Sequence, residues 1–223
     1  AELTEACRLA DFELMVPDNL PAIGAGDDLE RAQRVLAGTI EAALDEMNPS
    51  LLIGPSPHDG HHGHETVGRA LRDAVEARGV TTAAMLWGLW GDLPLPNVFV
   101  PFGAERLHEL QRALAAHAGE LRRNPYDRLL TGRATANAVL GAERVFGFGS
   151  SRFGHEYAEQ LTRVSWSPGE GWTLSAPHVF DPAHAPSDAD GRNFDWWMHA
   201  PSVRATLTEP PVRPTPGARG GRA

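Results

Sequence analysis

A chain of 223 residues, 42% of them apolar, is long enough for one domain with a sizeable core. Its formal charge of −9, from 29 acidic and 20 basic residues, argues against nucleic acid as the main partner, because phosphate neutralisation needs clustered positive charge. No apolar run approaches the roughly 20 residues of a membrane span, and no basic-then-apolar leader is visible. A cytoplasmic location and no membrane partner are therefore expected.

The single cysteine, Cys7, excludes an internal disulfide and a Cys-rich zinc site. All basic residues are arginine. Outside Arg122-Arg123 and the last few residues they are scattered, which reads as codon bias rather than phosphate recognition.

In chain order, Leu3 to about Ala10 reads as a short helix with no strand before it. An α/β domain usually begins with a buried strand. The first strand is thus expected to be absent, and the chain to be the remainder of a longer one. Asp11 to Asp28 is irregular, punctuated by Pro17, Pro21, Gly24 and Gly26. From about Leu29 to Met47 the residues Leu36, Ile40, Ala43, Leu44 and Met47 fall on one helical face. Asn48-Pro49 stops that helix, and Ser50 to Gly54 reads as a short buried strand.

A helix over about Glu65 to Ala77 carries the stripe Val67, Ala70, Leu71, Ala74 and Val75, and Gly79 ends it. Thr82 to Trp90 and Pro96 to Pro101 read as strands. A helix over about Ala104 to Arg123 carries Leu107, Leu110, Leu114, His117 and Leu121, closed by Asn124-Pro125. Tyr126 to Gly141 is predicted helical at least in part, Glu143 to Phe148 a strand, and Arg152 to Phe153 a loop. Glu156 to Arg163 fits either a helix or an extended segment.

After Pro182 the composition shifts to Pro, Asp, Gly and Arg. Residues 1–185 form the expected domain and 186–223 an extension, disordered from about residue 209. Within the extension, Phe194, Trp196, Trp197 and Met198 read as a segment docked on the domain. A homo-oligomer contact or a lid over the substrate is the alternative. Strands alternating with helices imply an α/β, Rossmann-like, mostly parallel sheet with helices on both faces.

Pro57-His58-Asp59-Gly60-His61-His62-Gly63-His64 holds four of the chain's ten histidines within seven residues. A His/Gly tract is often a plain surface turn or an adventitious metal binder. Here it lies between a buried strand and a helix N-terminus, where α/β proteins place their chemistry. His61 and His64 are three apart and share a face if the helix begins near His61. One could bind a metal while the other meets substrate, and Asp59 could orient an imidazole through its ring N–H. There is no Gly-rich phosphate loop and no Ser/His/Asp spacing.

The segment Asp59-Gly60-His61-His62-Gly63-His64-Glu65-Thr66-Val67-Gly68-Arg69-Ala70 resembles a signature of the PIG-L/LmbE-like, zinc-dependent N-acetylglucosaminyl deacetylases. Pro96-Asn97-Val98-Phe99-Val100, Ala113-Leu114-Ala115-Ala116-His117 and Phe153-Gly154-His155-Glu156-Tyr157-Ala158-Glu159 resemble further family segments, in the family's order. The resemblance implies zinc as cofactor, His64 as a zinc ligand, and His61 as the imidazole that stabilises the oxyanion or protonates the leaving amine. Asp59 would be its orienter. The implied substrate is an N-acetylated, glucosaminyl-type small molecule, attacked by metal-activated water. The family's other signature, A-H-P-D-D-E, has no counterpart before Cys7. The alternative is a truncated or degenerate non-catalytic homologue that binds or assembles.

Other residues have plainer readings. His58 and His62 are expected to face solvent. His117 is expected to be a core or supporting residue near the site, Glu159 structural, and Arg69 a helix-surface salt bridge. Trp87 and Trp90 are core or cleft wall, with sugar stacking as a further use.

Overall fold

The computed structural model describes residues 1–24, 26–151, 153–180 and 192–201. Two helices come first, α1 (Glu2–Leu9) and α2 (Leu29–Met47). Asp28 caps α2 by accepting from the Arg31 N–H at 2.9 Å, and Asn48 ends it in the left-handed conformation. The stripe on α2 is narrower than its sequence suggests. Leu36 and Leu44 are buried, whereas Met47 at the end is exposed.

Strand β1 (Leu52–Pro55) leads through the histidine loop into α3 (His62–Arg78), which Gly79 ends at φ 65°. Helix α3 begins three residues before the expected Glu65. Strands β2 (Thr82–Trp87) and β3 (Val98–Phe102) follow. Next come α4 (Ala104–Ala115), α5 (Ala118–Arg123) and α6 (Tyr126–Phe146). The chain then forms β4 (Tyr157–Ser167), β5 (Gly171–Leu174), β6 (His178–Val179), β7 (Arg192–Asn193) and α7 (Asp195–Met198).

The strands join in the order β1-β2-β4-β3-β6, with β5 on β4 and β7 on β5. β1 and β2 are parallel, as are β3 and β6. β4 runs antiparallel to β2, β3 and β5. The α/β class stands, but the sheet is mixed rather than mostly parallel. The reason is β4, which enters between β2 and β3 from the opposite end.

Its sequence hides this role. The residues of β4 that are buried at alternate positions include Gln160 and Thr162 as well as Ala158 and Val164, so no apolar alternation marks the strand. Asn97 fixes its register. Its side chain donates to the carbonyls of Arg163 and Ser175 and accepts from the Arg163 N–H.

Two further readings are corrected. The segment Glu143 to Phe148 is not a strand, because Glu143–Phe146 is the last turn of α6. Ala134, Ala138, Ala142 and Val145 continue one buried helical face to its end. Gly141 on that helix lies against the Phe99 ring, where a Cβ would collide. The single helix expected over Ala104 to Arg123 breaks into α4 and α5 at Ala116-His117. The Gly119 N–H at the start of α5 is taken by the Glu2 carboxylate of α1, at 3.1 Å.

The larger core cluster joins Leu44 of α2, Leu71 and Val75 of α3, Leu86 of β2 and Val164 of β4. Full burial of each such side chain is worth about 1.5–3 kcal/mol. Phe194, Trp197 and Met198 belong to the same cluster. Phe194, Trp197 and Met198 of the expected extension thus dock on the domain and join its core, whereas Trp196 is 63% exposed. The disorder expected from about residue 209 lies outside the described residues. A second cluster joins Phe99, Ala138, Val145 and Ala158 beneath α6. No described helix is long and apolar enough to cross a membrane.

Candidate active site

The histidine loop is set by a close approach of helix to strand. A Cβ on Gly68 would stand 2.6 Å from the Pro55 carbonyl oxygen and 2.8 Å from the Pro57 nitrogen. Glycine there lets α3 lie directly on the end of β1. Glu65, in the first turns of α3, accepts from the Gly60 N–H at 3.0 Å. Arg69 faces Glu65 at 3.5 Å and donates to the Pro57 carbonyl at 3.4 Å. Arg69 is the salt-bridging residue expected of it.

Asp59 is the pivot of the loop. It is 1% exposed. Its Oδ2 lies 2.6 Å from His64 Nδ1. Its Oδ1 accepts the backbone N–H groups of Leu89, of Trp90 at 3.1 Å and of Gly91 at 3.4 Å. Burial works to raise its pKa. The bonds from His64 and from the backbone amides of Leu89 and Gly91 outweigh that, and the pKa ends below the usual carboxylate value. The charged carboxylate therefore accepts the Nδ1–H of His64, leaving Nε2 as the ring's other nitrogen. Asp59 orients His64 rather than His61.

His61 stands at the N-terminal cap of α3. Its ring lies 4.6 Å from the His64 ring, stacks on His62 at 4.5 Å and on Trp90 at 5.9 Å. A Cβ at Gly63 would come within 3.3 Å of His61 Cε1, so a larger residue there would press on this ring. Trp87 meets His64 edge-on at 5.0 Å. Both tryptophans flank the histidines. Trp87 ends β2, whereas Trp90 lies beyond it with half its surface exposed.

The histidines open onto a cleft of about 630 Å³. His61, His64 and His117 line it, together with Trp90, Leu114 and Tyr126. His117 lies in the break between α4 and α5 and does not enter the core. The stripe of Leu107, Leu110, Leu114 and His117 divides there. Leu107 is buried, while Leu110, Leu114 and His117 face the cleft. This wall was missed because an apolar stripe has the same spacing whether it meets a core or a cavity.

Two bystander readings are corrected. His58 is half-buried, and its Nε2–H donates to the Trp197 carbonyl at 2.6 Å while its ring meets Trp197 edge-on. Burial lowers its pKa, although the bond to that carbonyl opposes the shift. His62 is also half-buried, held against His61. Glu159 is structural as expected. It accepts from Asn137 at 3.2 Å and from the Gln160 N–H, and burial raises its pKa.

For a zinc ion the donors are few. His64 offers Nε2, and His61 stands beside it. Both Asp59 oxygens are already engaged. Among the described residues no group of three His, Cys, Asp or Glu side chains could hold a metal ion. A catalytic zinc takes about three protein ligands. The described residues do not by themselves make a zinc centre.

The chain matches no protein-family model, and no curated protein matches it. Solved structures do. The conserved protein TT1542 from Thermus thermophilus matches over 82% of this chain and 75% of its own, at 16% identity and a TM-score of 0.50. The zinc-inhibited form of teicoplanin deacetylase Orf2 matches over 75% of this chain and 74% of its own, at 16% identity and a TM-score of 0.49. The chain shares the fold of TT1542.

Proposed function

We propose that the chain hydrolyses the amide of an N-acylated small molecule, as an N-deacetylase. The Asp59–His64 pair carries this reading, because a buried carboxylate on Nδ1 makes Nε2 a base at the mouth of a cleft. His64 takes a proton from water as its oxygen attacks the acyl carbon. His61 donates a hydrogen bond to the oxygen of the tetrahedral intermediate, and the proton taken by His64 passes to the departing nitrogen, directly or relayed through His61, as the C–N bond breaks. The products are a carboxylate and an amine. Trp90 supplies a half-exposed aromatic face beside His61 on which a sugar ring can stack.

The sequence resemblance favours an N-acetylglucosaminyl substrate and zinc, with His64 as a ligand through the same Nε2. The incomplete donor set gives zinc no step here, and it also supports the second reading, a homologue that binds such molecules without cleaving them. Free amine released from N-acetylglucosamine, measured beside its binding isotherm, separates the two. Release that His61→Ala and His64→Ala both abolish supports the enzyme. Binding without release supports the binding protein. Zinc content adds a further arm: if His64 is a ligand, His64→Ala lowers it and His61→Ala spares it.

A further inference from the structure

The three amides that hold Asp59 belong to residues 88–97, a stretch between β2 and β3 with no helix or strand of its own. Such a loop keeps three N–H groups on one oxygen only if something else fixes it. Glycines let it turn tightly. A Cβ on Gly88 would stand 2.6 Å from the Gly91 carbonyl oxygen, and one on Gly91 would stand 2.9 Å from the Asp59 carbonyl oxygen. Glycine permits that turn without enforcing it.

The fixing groups come from α6. Arg133 meets the Asp92 carboxylate at 2.5 Å, and Arg144 donates to the Leu93 carbonyl at 2.9 Å. Asp92 and Leu93 directly follow Gly91, the last of the three amides on Asp59. The arginines stand about three helical turns apart, so one rigid element grips consecutive loop residues from two places. The bond from Arg133, joined by the charge of Arg144, holds the Asp92 carboxyl below its usual pKa against the effect of burial. Asn137 of α6 and Glu159 and Gln160 of β4 close around the same groups and leave a cavity of only about 10 Å³. That is room for about one water molecule. The cluster ties α6 to the loop and has no space for a ligand.

We infer that Arg133 and Arg144 are positioning residues for His64, acting through the loop amides and Asp59. With the loop held, its N–H groups fix Oδ1 of Asp59 and so aim Oδ2 at His64 Nδ1. With the loop released, the carboxylate turns about its Cβ–Cγ bond and the ring is no longer confined to the Nδ1–H form. Neither arginine lines the histidine cleft, so an effect on His64 has to travel through the loop.

The test compares Arg144→Met, Arg144→Lys, Arg133→Gln and Ala138→Gly with the wild type, each checked for native circular dichroism. Ala138→Gly weakens α6 from its buried face without touching either arginine. Hydrogen exchange at the Leu89 and Trp90 amides reads the loop, and long-range nitrogen–proton NMR reads the His64 tautomer. In Arg144→Met the exchange should rise about tenfold or more, and His64 should show both tautomers. Arg144→Lys should restore much of the wild-type behaviour, because an ammonium also donates to the Leu93 carbonyl. Arg133→Gln should act in the same direction but more weakly, since its ion pair lies partly in solvent. Ala138→Gly should leave both NMR readouts as in the wild type.

Unchanged exchange and an unchanged tautomer in folded Arg144→Met overturn the inference. If that variant does not fold, the same null result in Arg133→Gln overturns it. So does a shift in Ala138→Gly as large as in the arginine variants, since general loosening of α6 would then explain the effect.

A kinetic arm rests on the amide-hydrolysis reading. There kcat in Arg144→Met should fall about tenfold with KM little changed. The two readings fail separately. A shifted tautomer with no amide cleavage by any form of the protein removes the hydrolysis reading and keeps this one. Cleavage by the wild type with both NMR readouts unmoved in the arginine variants does the reverse.

Discussion

Replacing Asp59 with asparagine separates what holds the loop together from what arms His64. The carboxylate accepts from His64 Nδ1 and from three backbone amides of the loop after β2. Asparagine keeps an oxygen for the amides but presents its NH₂ to the ring. Nδ1 must then accept, and the ring proton moves to Nε2. Hydrogen bonds to a charged group are worth about 1.5–3 kcal/mol and neutral ones about 0.5–1.5, so each well-made bond loses about 1 kcal/mol. Two of the backbone bonds are well made, and relief from burying a charge offsets part of the loss. The expected cost is about 1–2 kcal/mol in urea unfolding. Asp59→Ala strands the amides and should cost about 3–5 kcal/mol. Long-range nitrogen–proton NMR of the imidazoles reads the tautomer directly. His64 should carry its proton on Nδ1 in the wild type and on Nε2 in Asp59→Asn, with amide cleavage down by about a hundredfold or more. An unchanged His64 tautomer with full cleavage would refute the orienting role.

Other substitutions probe the frame around the loop. Gly68→Ala pushes a methyl into the backbone between Pro55 and Pro57, and should cost about 3 kcal/mol and displace the histidine signals; a neutral substitution would mean that α3 does not rest on that backbone. Trp197→Ala removes a 7% exposed ring stacked on Phe194 and should cost about 3–5 kcal/mol in chemical denaturation, whereas a loss under about 1 kcal/mol would mean that α7 is not part of the core. His58 has a folded pKa below its unfolded value, so its contribution is full above pH about 6.5 and is lost as pH falls through the folded value. The melting temperature of His58→Gln should therefore fall less than that of the wild type on acidification from neutral pH, and parallel curves would contradict this. Glu159 has a raised pKa, so its charged form costs stability at neutral pH. Glu159→Gln should melt higher there, with the gain shrinking as pH falls through the raised folded pKa and gone below the unfolded carboxylate value near 4.5; a lower melting temperature would show that the charge itself is needed.

Periodicity and punctuation carried the parts of the fold that obey local rules. Helix α2 matches its expected bounds because Asp28 and Asn48 are capping residues at both ends. Helix α3 is marked by an unbroken small-and-apolar stripe. The misread parts depend on distant partners. The break at His117 needs Glu2, far away in sequence, to take the Gly119 N–H. The end of α6 looked like a strand because Val145 and Phe146 precede a glycine, yet Val145 packs with Ala138 on one helical face. β4 carries polar residues inward, so its pattern is silent.

The site divided in the same way. Asp59, His61 and His64 were legible because they are close in sequence and the loop brings them together. Which imidazole Asp59 holds was not, since that depends on the amides of Leu89, Trp90 and Gly91 fixing its other oxygen. His58 looked like a spare loop residue because its partner is the Trp197 carbonyl, 139 positions away.

A reaction in ¹⁸O-enriched water with an N-acylated glucosamine tests whether His64 drives hydrolysis of the amide. The released carboxylate is read by mass spectrometry for wild type and His64→Ala. One ¹⁸O atom is expected in the wild-type product, with loss of product above background in the variant. No carboxylate from the wild type, or equal amounts from both proteins, would contradict it.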